Sequence, residues 1–429
     1  MSEARVWNGD RRAEAQRLID WLLAAKLAGG WPVGQDFDVP LIELAESASP
    51  RLSRDEMWRL LDALSKSGET SVDALERLCS ARRGALPIQA REWRFWLPLE
   101  LAPRPPVQLP VSVTMLGTAF ALESGDSVRS QLAAELGKLR EYYNRHDRTP
   151  LTPTFVSFTG RGEHWSEAWK GAEPAWDAYR GLAAFIFGRG KYRIVGGGPR
   201  SDVLHPAWML ARTEGVPLQF VPFTLDYDPS RRLGGDVGIS QDMMNSFQEY
   251  AVPLAGRPPR GSTLGIVADC LRLYAQAMDS GQDYSCFLGL WQLAEAITVV
   301  EEDGGRTERV AARLSMFIAF PPVGARRTLK YLSRRRNKMV HEGILAMDDL
   351  TDLNLVQFAC EHALAWLLNR HNKLPTRLHL REFYRCHSRG DSELAAIVET
   401  IALIREGRLV EKQKPQPPND PTTAGPGDE

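Results

Sequence analysis

Arg336 and His341 share one strongly basic segment, Leu332-Ser-Arg-Arg-Arg-Asn-Lys-Met-Val-His-Glu-Gly343. The guanidinium of an arginine is a permanent, forked positive charge suited to a phosphate, and a histidine can move a proton near neutral pH. Together with Asn337 between them, these residue types suit phosphodiester chemistry that needs no metal ion.

Spacing alone does not single this pair out. Arg140 precedes His146, Arg200 precedes His205 and Arg381 precedes His387 within a similar window. The Arg200–His205 pair lies between Gly196-Gly-Gly-Pro199 and Pro206, a turn-rich loop and a poor scaffold for a preorganised site. The Arg140–His146 pair ends an amphipathic helix carried by Leu132, Leu136, Leu139 and Tyr143, and reads as a solvated helix end. Leu378 to His387 reads as a short helix whose Arg381 and His387 are either contributors or plain helix surface.

The elements around Arg336 are better suited to hold a site. From Ala325 the chain repeats apolar residues at Leu329, Leu332, Met339 and Val340, and Gly343 is a natural left-handed terminator. The pattern predicts a helix with His341 in its last turn, where the macrodipole favours the imidazolium. At about 100° per residue Asn337 and His341 share a face, and Arg336 is turned from His341 by roughly 140°, a gap its long side chain can partly close, so that a single phosphate is expected to meet all three. The competing reading makes Arg334, Arg335 and Arg336 a solvated face and His341 a helix-end residue.

Arg336-Asn-Lys-Met-Val-His341 resembles the Arg-x4-6-His motif of the HEPN superfamily, and His341-Glu-Gly resembles the ending found in ApeA-like HEPN domains. The order of the flanking segments is also similar. Phe287 to Ala296, containing Glu295, resembles the helix that carries an acidic residue in that group; Arg309 to Phe317 and Asp349 to Leu368 resemble its intermediate and closing helices. The resemblance covers roughly residues 263 to 372. It implies an all-α bundle, a homodimer that completes the site, no cofactor and no metal. It further implies Arg336 on the scissile phosphate, His341 in proton transfer and Asn337 orienting one or the other. The products would be a 2′,3′-cyclic phosphate and a 5′-hydroxyl, because the RNA 2′-OH is then the nucleophile. Glu295 is a candidate accessory residue, or equally a carboxylate of the helix face.

Charge is unevenly spread. The chain as a whole carries a formal −1, which argues against a general polyanion binder. From Arg306 to Lys338, however, there are ten Lys and Arg against the single Glu308, whereas Asp279 to Asp303 and Glu342 to Glu361 carry only acidic charges. Arg327, Arg334, Arg335 and Lys338 are therefore candidate RNA-binding residues on a basic stripe. Charge complementarity between helices of the bundle is the other explanation.

With 429 residues, 43% hydrophobic and 25% charged, the chain has material for several cores and is expected to be multidomain α+β. Residues 1–88 read as a helical N-terminal region: Arg17 to Leu23 is apolar-periodic, and Ser53-Arg-Asp-Glu56 is a capping box ahead of Met57, Trp58, Leu61 and Leu64. The order of its helices resembles a winged-helix arrangement, though helix pairs of this kind also build adaptors. Residues 89–262 read as a mixed α/β middle domain and sensor, with strands at Trp93 to Leu97, Val111 to Met115 and Leu218 to Leu225 and helices near 127–146 and 164–187. Prolines at 98, 103, 105, 106, 217 and 222 favour edge strands or loops over a continuous central sheet. By the HEPN resemblance residues 263–409 are expected to form a HEPN-like helical bundle, and 410–429, polar and Pro-rich, are expected to be a disordered tail.

Gly188-Arg-Gly-Lys191 lacks the spacing of a phosphate loop, and Cys79, Cys270, Cys286, Cys360 and Cys386 form no Cys-x-x-Cys pair. His371, His379, Cys386 and His387 match no standard zinc spacing. No apolar run of about eighteen residues is present, so no membrane partner and a cytoplasmic location are expected. The expected function is a metal-independent endoribonuclease acting on tRNA or other single-stranded RNA, similar to ApeA-like proteins of bacterial antiphage defence. The alternative is a noncatalytic HEPN adaptor or nucleic-acid-binding regulator.

Overall fold

The computed structural model describes residues 6–7, 10–29, 35–48, 52, 54–84, 90–99, 101–132, 154–190, 199–201, 203, 205–206, 208–223, 237–299, 307–318, 322–342, 350–387 and 389–413. The chain divides into two compact units, residues 1–93 with 160–171, and residues 94–159 with 172–429.

The first unit is built on four helices, α1 (Asp10–Gly29), α2 (Gln35–Ser47), α3 (Arg54–Ser67) and α4 (Val72–Gly84). Their apolar stripes meet in one core of Trp7, Ile19, Leu22, Leu44, Met57, Leu61, Leu64 and Leu75. This agrees with the helical character read from the sequence. Trp58 is only partly buried against that core, and the capping residue Ser53 lies outside the described residues. The chain start is tied down by Glu76, whose carboxylate accepts from the backbone N–H groups of Val6 and Trp7 at 2.9 and 3.1 Å and pairs with Arg12 at 2.6 Å.

The strands among the described residues are β1 (Arg91–Leu99), β2 (Leu101–Pro103), β3 (Val111–Met115), β4 (Thr118–Ser124), β5 (Thr154–Gly162), β6 (Trp208–Thr213), β7 (Val216–Pro222) and β8 (Val237–Ile239). Six of them make one sheet in the order β3-β4-β5-β1-β6-β7, while β2 and β8 pair in parallel. The β3–β4, β4–β5, β1–β6 and β6–β7 pairings are antiparallel. Prolines were expected to favour edge strands or loops over a continuous central sheet, and a continuous six-stranded sheet forms nonetheless. Pro98 lies in the inner strand β1, beyond the Arg94 to Trp96 stretch that is in register with β6. Pro217 and Pro222 do sit on an edge strand, as their missing N–H requires.

Two helices accompany this sheet, α5 (Gly125–Gln131) and α6 (Trp165–Gly188). The helix expected over 127–146 is described only as α5, capped by the Ser124 hydroxyl, and residues 133–153 lie outside the described residues. On α6 the aromatic stripe of Trp176, Tyr179 and Phe185 is buried. Tyr179 meets Phe120 of β4 at 4.8 Å between ring centroids, and Trp176 stacks on Phe158 of β5 at 6.3 Å. Trp176 is thus a core residue.

The chain then becomes helical: α7 (Gln241–Ala251), α8 (Thr263–Asp279), α9 (Asp283–Thr298), α10 (Thr307–Leu314), α11 (Pro322–Glu342), α12 (Leu350–Arg370), α13 (Arg377–His387) and α14 (Asp391–Gln413). Two glycines set the spacing around α8. A Cβ at Gly181 of α6 would lie 2.0 Å from the Leu271 carbonyl oxygen, and one at Gly289 of α9 would lie 2.8 Å from the Ala277 Cβ. Small residues here let helix backbones approach closely. The last helix continues to Gln413, past the boundary expected at 410, and residues 414–429 lie outside the described residues. Among the described residues no helix is long and apolar enough to cross a membrane.

Candidate active site

The site begins with two helices whose buried faces fix their roll. On α9, Phe287, Leu290, Trp291, Ala294 and Ile297 are buried, which leaves Glu295 at the margin of that face. On α11, Leu329, Leu332, Ser333 and Met339 are buried. Arg336 follows Leu329 by seven residues and Leu332 by four, so it emerges on the same side and is drawn in toward its neighbours. Its guanidinium donates to the Glu295 carboxylate (Nη2 to Oε1, 3.3 Å) and, weakly, to Asn337 (Nη1 to Oδ1, 3.4 Å). The side chains of Arg336 and Glu295 are 25% and 31% exposed, so the pair is shielded but open to a ligand.

This pair lies in a cleft of about 520 Å³ lined by Ile266, Asp269, Glu295, Ala296, Val299, Arg336 and Arg377. The structure thus brings together Arg336, Asn337 and Glu295. His341 is in the last turn of α11, but it is exposed, does not line the cleft, and has no hydrogen-bond or ion-pair partner among the described residues. The reason is helical phase: five residues on from Arg336 the side chain points about 140° away. Val340, read as part of the apolar stripe, is 49% exposed.

The candidate RNA-binding residues divide in two. Arg327, Arg334 and Lys338 are exposed. Arg335 is half-buried, with Nε 3.0 Å from the carboxylate of buried Asp352 on α12, and so belongs to helix–helix pairing rather than to a free surface. Lys330 likewise reaches Glu308 of α10 at 3.3 Å. Part of the basic stripe is therefore charge complementarity inside the bundle, the competing explanation offered by the sequence.

The other Arg–His pairs take different forms. Arg140 and His146 lie outside the described residues. Arg381 pairs with Glu382 at 3.2 Å, and the His387 ring stands 5.8 Å edge-on from Phe383. Arg200, read as a loop residue, is in no regular element but is buried. Its Nε donates to Gln357 at 3.2 Å and its Nη2 to Asn354, both on α12. On that same helix the buried Glu361 carboxylate accepts from Tyr274 at 2.8 Å, Gln357 at 2.7 Å and the Gly190 N–H at 3.2 Å. Asp279 at the end of α8 pairs with buried Arg180 and accepts from the His205 N–H at 3.1 Å. Burial pushes Asp279 up to about 6, against the pull of Arg180, and pushes His205 down to about 3 with help from the same arginine.

No family model, curated protein or solved structure matches this chain significantly. The functional reading rests on the residues themselves.

Among the described residues no group of three or more His, Cys, Asp or Glu is arranged to hold a metal ion. Cys79, Cys270, Cys286 and Cys360 are buried, and Cys360 donates its S–H to the Leu290 carbonyl at 3.3 Å. Two cleft residues escaped the sequence reading, Asp269 and Arg377. Neither falls in an Arg–His spacing. The available signal was indirect: Arg377 opens a helix directly after Leu374-Pro-Thr376, and Asp269 lies on the polar side of α8.

Proposed function

We propose that the chain is a metal-independent endoribonuclease of HEPN type. The observation that carries this reading is the meeting of Arg336 and Glu295, from two helices, at an open cleft, with Asn337 accepting from Arg336 beside it. In this reading a phosphodiester of the RNA replaces the Glu295 carboxylate as the partner of Arg336, a charge-assisted and forked interaction. The 2′-oxygen then attacks phosphorus, a new 2′-O–P bond forms, and the P–O5′ bond breaks. The proton lost by the 2′-OH and the proton gained by the leaving 5′-oxygen balance, and no water enters. His341, at the solvent end of α11, handles this proton traffic. Because His341 stands outside the cleft of its own chain, a second copy facing it would complete the site, in keeping with the homodimer that the HEPN resemblance implies. A role in bacterial antiphage defence belongs to the same resemblance.

The noncatalytic alternative, an adaptor or nucleic-acid-binding regulator, is favoured by that same displacement of His341 from the cleft. The test is cleavage of labelled single-stranded RNA and of bulk tRNA in EDTA by the full chain and by His341→Ala. Loss of cutting in a folded variant, with 2′,3′-cyclic phosphate ends from the unaltered protein, supports the nuclease. RNA binding by both proteins without any cutting supports the regulator.

A further inference from the structure

The cleft contains more charge than the Arg336 motif accounts for. Each of its two carboxylates is opposed by an arginine: Glu295 by Arg336 at 3.3 Å, and Asp269 by Arg272 of the same helix at 3.4 Å. Arg377 is different. Its guanidinium donates to the Val299 carbonyl, at the C-terminal end of α9, over 3.0 Å, and it has no carboxylate partner among the described residues. A neutral carbonyl orients it without cancelling its charge.

The position of Arg377 is fixed by backbone. Its own N–H donates to the Gly261 carbonyl at 2.8 Å, and the Thr263 N–H donates to the Pro375 carbonyl at 3.1 Å. Ser262 and Thr376 form an isolated antiparallel bridge beside it. The start of α13 is thereby pinned to the start of α8, and Arg377 is held over the end of the helix that carries Glu295.

We infer that Arg377 is a second phosphate-holding residue of the Arg336 cleft, so that the site takes a single RNA strand with at least two consecutive phosphates. The identity of the strand rests on the ribonuclease reading above; the anion preference rests on the charges of the cleft. A volume of about 520 Å³ falls in the range of small-ligand sites, roughly 300–1,000 Å³, and accommodates a nucleoside between two anchored phosphates. Ile266, Ala296 and Val299 offer that nucleoside an apolar wall. An acidic peptide fits less well, because its closely spaced carboxylates would meet Asp269 and Glu295. The strand instead places its negative charge at the two arginines and a neutral base and sugar between them.

The experiment uses the full-length chain and a fluorescent single-stranded RNA with 2′-O-methyl groups, which binds but has no nucleophile for cleavage. Its affinity is measured across a salt series for the unaltered protein, Arg377→Gln and Arg381→Gln. Glutamine at 377 keeps a donor for the Val299 carbonyl and removes only the charge. Arg381, one turn further along α13 and paired with Glu382, does not line the cleft and reports general loss of surface charge. Each phosphate contact on a single strand contributes about 0.7 to the slope of log affinity against log salt. Arg377→Gln is expected to flatten the slope by about that amount, and Arg381→Gln to leave it within error.

Equal slopes in the unaltered protein and Arg377→Gln overturn the assignment of Arg377 while leaving the ribonuclease reading to its own cleavage test. Equal flattening by both variants also overturns it, in favour of a diffuse helix surface. A flattened slope specific to Arg377 in a protein that cuts no RNA keeps Arg377 as a phosphate holder and removes the nuclease. Absence of any binding by the unaltered protein overturns both.

Discussion

The carboxylate of Glu295 and the guanidinium of Arg336 stand 3.3 Å apart, each on its own helix, at the mouth of one cleft. The residue best suited to hold a phosphate is thus already engaged by an internal anion. A ligand phosphate must compete with Glu295, and the outcome depends on how weak that internal pair is. Partly exposed pairs of this kind contribute only about 0.2–1 kcal/mol, which a charge-assisted contact to phosphate can exceed.

Glu295→Gln is therefore expected to raise affinity for a noncleavable single-stranded RNA by up to about fivefold, while changing stability by less than about 1 kcal/mol. Fluorescence anisotropy and a thermal melt measure the two effects. A fall in affinity would mean that Glu295 helps to orient the bound strand rather than competing with it.

Arg336→Ala and His341→Ala are each expected to reduce RNA cleavage by about 10²-fold or more, the scale of losing a phosphate anchor or a proton-transfer group. Their effects on folding should differ little, because His341 is exposed and Arg336 makes only a half-open ion pair. The strongest support for a site shared between two copies would be recovered cleavage on mixing the two inactive variants, since one of the two sites in a mixed dimer could then have both residues intact. Failure of mixed samples to recover activity while they still exchange subunits would place Arg336 and His341 on the same chain's site.

Gly289→Ala tests how closely the helix carrying Glu295 is packed. A methyl there would meet the Ala277 Cβ at 2.8 Å. The variant is expected to lose about 1–3 kcal/mol to overpacking, less up to about 1 kcal/mol regained from helix propensity. Ala277→Gly in the same chain should recover part of the packing loss. Urea melts of the single and double variants measure both. A Gly289→Ala protein as stable as its parent would show that α8 and α9 move apart at no cost.

These features were unequally legible in the sequence. Periodicity located α11 and its end because the apolar residues Leu329, Leu332 and Met339 recur on one face and the basic residues do not interrupt them. Helical phase set Asn337 and His341 on one face with Arg336 turned from it, whereas the structure draws Arg336 to Glu295 and Asn337 and leaves His341 outside the cleft, because a partner on another helix decides where a long side chain goes. Five strands, β2, β4, β5, β6 and β8, were not separated from loop. Burial on β5 and β6 is continuous, over Thr154 to Phe158, which includes the polar Thr154 and Ser157, and over Trp208 to Ala211, without the alternation that marks a half-buried strand. The Asp352 partner of Arg335 lies on the next helix and the Val299 partner of Arg377 lies 78 residues away, and no helical or strand period encodes either contact.

The buried cluster at the end of α8 gives a pH dependence whose sign depends on two groups. Asp279 is held by Arg180, with Asp177 nearby, and its folded value of about 6 exceeds the 3.8 of an unperturbed carboxyl. It therefore contributes stability below pH 3.8 that is lost as pH rises toward 6. His205 has a folded value of about 3 against 6.5, so it contributes stability above 6.5 that is lost as pH falls toward 3. Between about pH 4 and 6 the unfolded chain carries one proton on the histidine and the folded chain one on the aspartic acid, and their opposing slopes nearly cancel. His205→Asn removes one side of that balance. Its stability relative to the parent protein should grow as pH falls from 6.5 to 4, by at most about 1.4 kcal/mol per pH unit. Parallel urea melts across that range check the sign, and curves that stay a constant distance apart would show that His205 titrates alike in both states.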